Sequence, residues 1–165
     1  MNNMNLDQQV NHSSIVQELK NKAQSVNDLE EFYQILNEMN VENAKIKDFF
    51  ELYSFGDDKL TMAMIVGCRK ILSLPNNPQT QDFTDAGLVN IFVELLDKTS
   101  NDKLKQEILW ALTNVASETE DHVIALTQAG FVKAVVPYLS SDNLKIKEQT
   151  FWAIGNIAGE GPLYC

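Results

Sequence analysis

Two segments of the chain state one pattern 42 residues apart. The first is Glu107-Ile108-Leu109-Trp110-Ala111-Leu112-Thr113-Asn114-Val115-Ala116, and the second is Gln149-Thr150-Phe151-Trp152-Ala153-Ile154-Gly155-Asn156-Ile157-Ala158. Trp110 and Trp152 are the two tryptophans of the protein, and each is followed four residues later by an asparagine. A fixed period of this size is the mark of stacked helical units, none of which buries its apolar face alone. Trp and Asn at i and i+4 share one face of a helix, so stacking sets two such faces side by side.

Local signals outline the units. Leu60, Met64, Ile65, Cys68, Ile71 and Leu72 keep helical spacing, as do Ile46, Phe49, Phe50 and Tyr53 before them. Gly56-Asp57-Asp58, Asn101-Asp102 and Ser141-Asp142-Asn143 read as turns with helix caps. Pro75-Asn76-Asn77-Pro78 breaks the chain. Asp85-Ala86-Gly87 recurs as Gln128-Ala129-Gly130, and both glycines suit a sharp turn between helices. Pro137 is expected to kink the helix that begins near Phe131, or to delay its start. Sustained β-type alternation is absent from the sequence. Upstream, a helix is expected from Ser13 or Ser14, and a second one capped by Asn27 or Asp28 with Glu30 and Glu31 in its first turn. Residues 1–12 read as polar and disordered. The expected fold is all-α, a right-handed α-solenoid of about three units with an N-terminal helical extension. Residues 1–43 form the extension, and 44–165 the array, in units of roughly 44–76, 77–117 and 118–159, with a further unit beginning at 160–165.

Composition narrows the function. A net charge of −10 argues against nucleic acid and favours a basic partner. Two cysteines, Cys68 and Cys165, make no disulfide framework, and His12 and His122 belong to no cluster with zinc spacing. No apolar run is long enough for a membrane span. Phosphate loop and nucleophile elbow are missing from the sequence, so an enzyme is not expected, nor a cofactor or metal.

The Trp–Asn line carries its own chemistry. On the helix from Lys103 to Ser117, Ile108, Leu109, Leu112, Val115 and Ala116 form the packing stripe. Phe151, Ile154, Ile157 and Ala158 are the expected stripe of the next unit. Trp110 and Asn114, like Trp152 and Asn156, fall beside it. An asparagine carboxamide both donates and accepts, so a row of them holds the main chain of an extended peptide. Indole walls fit the methylene stems of Lys or Arg, and a cation over an exposed indole gains about 0.5–1 kcal/mol. Glu118, Glu148 and Glu160 are placed to meet the cationic tips.

These segments resemble successive armadillo repeats of the importin-α (karyopherin-α) family. The resemblance rests on the paired Trp-x-x-x-Asn and on Gly155-Asn156-Ile157-Ala158-Gly159-Glu160-Gly161, with Cys68-Arg69-Lys70-Ile71-Leu72-Ser73 and Asp85-Ala86-Gly87-Leu88-Val89 fitting the preceding units. It covers about three-quarters of the chain, from Ile46 onward. It implies a groove for basic nuclear localisation signals, protein import into the nucleus, and residence in cytoplasm and nucleus. Trp110, Asn114, Trp152 and Asn156 carry over as peptide-binding residues, with Ser117 and Gln149 as neighbouring contacts. Glu160 stands where the family has a lysine-binding aspartate, and Val123 where it has a threonine. Residues 1–43 hold only Lys20 and Lys22 against seven acids, and Arg69 is the sole arginine. An importin-β-binding segment of the family's basic kind is therefore absent there, which argues against importin-β as a partner. The chain stops at Gly161-Pro162-Leu163-Tyr164-Cys165, where a further helix is expected to begin, which reads as a fragment or truncated gene product rather than a purposeful miniature. The alternatives left open are another armadillo-type scaffold, or an importin-like paralogue that binds cargo without supporting transport.

Overall fold

Short polar side chains set the helix starts. Asp28 Oδ1 accepts from the Glu31 amide at 2.8 Å, and Asp57 Oδ1 from the Leu60 amide at 3.0 Å. Asn101 Oδ1 accepts from the Lys103 and Leu104 amides, and Asn143 Oδ1 from those of Lys145 and Ile146. Each satisfies donors that the first turn of a helix leaves unpaired. A computed structural model describes residues 5–159, with side chains from Ile15 onward. All regular elements among these residues are helical. The chain divides into two compact units, Met1–Leu74 and Pro75–Cys165.

The first unit holds α1 (Asn5–Ser25), α2 (Leu29–Glu38), α3 (Ile46–Tyr53) and α4 (Asp58–Leu72). The helix expected from Ser13 or Ser14 begins at Asn5, so residues 5–12 are helical rather than disordered. Their Asn, Asp and Gln side chains give no apolar period by which a helix is recognised. Phe32, Leu36, Phe49, Leu52, Met64, Ile65 and Ile71 are fully or almost fully buried. A Cβ at Gly67 would come within 2.2 Å of the Phe49 ring, so α3 and α4 meet at a point that admits no side chain. Cys68 is completely buried, and burial pushes its thiol well above the usual range, which leaves it an inert core residue. Two lysines of α4 grip the ends of the preceding helices. Lys59 Nζ donates to the carbonyls of Ala23, at 3.1 Å, and Val26. Lys70 Nζ donates to the carbonyls of Leu36, at 3.2 Å, Asn37 and Met39. Terminal carbonyls lack intrahelical partners and carry partial negative charge, which is why a cation settles there.

The second unit holds two stacked repeats. The first comprises α5 (Thr80–Asp85), α6 (Leu88–Lys98) and α7 (Asp102–Ala116). The second comprises α8 (Glu120–Gln128), α9 (Phe131–Val135), a 3₁₀ segment (Val136–Ser140) and α10 (Leu144–Gly159). Gly87 and Gly130 take φ values of 79° and 81°, the left-handed conformation that the tight turns require. Pro137 ends α9 two residues earlier and converts the following turn to 3₁₀. The core runs through Phe83 and Phe92, packed edge to face at 4.9 Å, and on through Leu88, Leu112, Leu126, Phe131 and Val135. Side chains also tie one repeat to the next. Tyr138 Oη donates to the Leu96 carbonyl at 3.0 Å, Asn143 Nδ2 to Asp102 Oδ2 at 3.0 Å, and Asn156 Nδ2 to the Thr113 carbonyl at 3.4 Å. His122 Nε2 lies 3.2 Å from Gln81 Oε1.

One expectation is corrected here. Ile157 packs, but Phe151 is 59% exposed, Ala158 is exposed and Ile154 is half-buried. The buried line of α10 is Ile146, Thr150, Ala153 and Ile157. It faces α7 and the 3₁₀ segment, the two described elements that pack chiefly against this helix.

Candidate peptide-binding groove

α7 and α10 pack against each other along their buried lines, and the pattern of burial dictates what remains on their shared open face. On α7, Ile108, Leu109, Ala111, Leu112 and Val115 are fully buried. The residue on the other side of the helix is Trp110, 42% exposed, with Asn114 one turn further at half burial. On α10 the equivalent residue is Trp152, 71% exposed, again with a half-buried asparagine, Asn156, one turn on.

Trp110, Thr113, Asn114, Glu148, Gln149 and Trp152 line one groove of about 340 Å³. Its chemistry is mixed. The two indoles supply apolar walls, Glu148 supplies an exposed carboxylate, and Asn114 a carboxamide. Gln149 Oε1 is buried without a hydrogen-bond partner.

Of the residues read from the sequence, the structure gathers Trp110, Asn114, Gln149 and Trp152 around the groove. Asn156 is turned toward α7, where it donates to the carbonyl of Thr113. Ser117 is exposed at the C-terminal cap of α7, its hydroxyl donating to the Asn114 carbonyl at 2.8 Å. Glu160 lies outside the described residues. Glu118 is exposed in the turn after α7. Val123 is fully buried and belongs to the core. Sequence reasoning missed Thr113, which lines the groove and whose carbonyl orients Asn156. Its position one residue before Asn114 was the only available signal. Among the described residues no group of acidic, His or Cys side chains is arranged to hold a metal ion.

Residues 76–117 and 119–159 match the armadillo/β-catenin-like repeat. Importin subunit alpha-4 of Arabidopsis thaliana is 40% identical over 73 residues, which are 44% of this chain and 14% of that protein. Importin subunit alpha-8 of Mus musculus is 32% identical over 99 residues, 60% of this chain and 20% of that protein. The chain thus spans a small part of the length of these relatives. Among solved structures, a designed armadillo repeat protein aligns with a TM-score of 0.61 at 20% identity, covering 68% of this chain and 46% of that one. A second, in complex with the peptide (KR)4, aligns with a TM-score of 0.57 at 20% identity, covering 94% and 78%. Two matched repeats, an all-helical α-solenoid fold and the likeness to importin α subunits agree: the chain belongs to the armadillo/β-catenin-like repeat family.

Proposed function

We propose that this chain is a non-enzymatic binding module for extended, Lys/Arg-rich segments of partner proteins, of the kind that mark cargo for import into the nucleus. The observation that carries the reading is the pair of open indoles, Trp110 and Trp152, on a groove that also holds the Glu148 carboxylate and the unpaired Gln149 acceptor. Each part has a place in the ligand's chemistry. Aliphatic stems lie between the rings, cationic tips meet Glu148, and main-chain N–H groups meet Gln149 and Asn114. Asn156 and Ser117 extend the contact line, and the resemblance to importin-α alone supports Glu160 as a further carboxylate for a cationic tip. The net charge of −10 speeds the approach of a basic ligand. The likeness to importin α subunits supports a role in nuclear import and residence in cytoplasm and nucleus.

The two tryptophans are the only ones in the protein, so their emission reports the groove directly. Titration with a Lys/Arg-rich peptide is expected to shift that emission saturably. The same peptide with its basic residues changed to alanine is expected to leave it unchanged. Equal binding of both peptides would instead support a scaffold indifferent to charge.

A further inference from the structure

The long helices of the two units have the same frame but not the same surface. α4 and α7 are each 15 residues long, with N-caps at Asp57 and Asn101 and C-caps at Ser73 and Ser117. Matching the caps sets Val66 at the position of Trp110 and Lys70 at that of Asn114. The line that is open on α7 is closed on α4. Val66 is fully buried, whereas Trp110 is 42% exposed. The Lys70 ammonium is bound by the carbonyls of Leu36, Asn37 and Met39 at the end of α2. Beside it, Arg69 Nη2 donates to Asn37 Oδ1 at 3.0 Å.

We infer that the helix pair α1–α2 is a built-in plug. It occupies the face of α4 that corresponds to the ligand face of α7 and α10, so a peptide is read by the second unit alone. Lys59 anchors α1 through the carbonyls of Ala23 and Val26, and Lys70 anchors α2. The plug does not imitate a basic ligand, since α2 carries Glu30, Glu31 and Glu38 and holds its place through main-chain carbonyls. A basic peptide gains nothing by displacing it. The consequence for ligands rests on the peptide-groove reading, whereas the plug itself rests on contacts within the first unit.

Thiol labelling of Val66→Cys in the full chain tests the plug without any ligand. The introduced thiol is expected to be protected, and to react about tenfold faster or more once Lys70→Met removes the charge-assisted hydrogen bonds to α2. Equal labelling rates with and without the Lys70→Met change would overturn the inference. Should Lys70→Met fail to fold, the unmutated chain still decides. A photoreactive Lys/Arg-rich peptide is expected to cross-link within Pro75–Gly159, and cross-links into Asp58–Ser73 would refute the plug. Absence of any peptide binding would remove the groove reading and leave the labelling experiment to judge the plug by itself.

Discussion

α7 and α10 are nearly one helix in sequence and two different helices in their surroundings. Leu109 is fully buried, while Phe151, its counterpart 42 residues on, is 59% exposed. Leu112 is fully buried and Ile154 half-buried, and Ala116 is buried where Ala158 is exposed. The side chains are equally apolar. What differs is the neighbour, since α7 is packed by α6, α8 and α10, and α10 chiefly by α7 and the 3₁₀ segment. Burial in a repeat array is therefore a property of position in the stack, not of the local pattern. The Trp–Asn line changes less. Trp110 and Trp152 are both exposed, although the degree differs, and each is followed one turn on by a half-buried asparagine.

The sharpest test of that contrast is Leu109→Ala. A fully enclosed leucine cut to alanine is expected to cost about 2–5 kcal/mol, read from the denaturant midpoint. A loss below about 1 kcal/mol would mean that the packing around α7 is looser than its burial shows. The ligand face comes next. Trp110→Ala and Trp152→Ala are each expected to weaken binding of a Lys/Arg-rich peptide by about 2 kcal/mol, as hot-spot aromatics do, with little change in stability. Because Trp110 is the more enclosed of the two, its replacement is expected to show the larger effect on folding. The caps provide a matched pair. Asn101→Ala and Asn143→Ala are each expected to lower stability by about 1 kcal/mol, and similar losses in both would show that the two helix starts are equivalent in energy as well as in geometry. The smallest effect is expected at Phe151→Ala, within about 0.5 kcal/mol by thermal melting. A large loss there would show that its ring is covered in solution.

Much of this architecture is legible in residue order because its causes are local. Asp57, Asn101 and Asn143 cap helices through bonds that reach two or three residues, and Gly87 and Gly130 adopt a backbone that few other residues tolerate. Trp110 and Asn114 are legible as a face because helical spacing alone places them together. Other features depend on distant partners. Lys70 reads as an ordinary surface lysine until the end of α2 lies against it, more than 30 residues back in the chain. Asn156 reads as a free carboxamide until the Thr113 carbonyl comes within reach. Phe151 reads as a packing residue because its counterpart Leu109 packs, and no local signal says which neighbour each helix has. The short α5 leaves little trace in residue order, because Gln79, at its start, takes the left-handed conformation without a capping side chain.

The ties within the second unit have a consequence for how such a stack assembles. Leu96 to Tyr138, Asp102 to Asn143, Thr113 to Asn156 and Gln81 to His122 each join residues one period apart. Every one of these rungs closes a loop of nearly the same length. The entropic toll of ring closure grows only logarithmically with loop size, but here it need not grow at all. Adding another storey repeats the previous step at constant cost, so a ladder of this kind lengthens without becoming slower to zip.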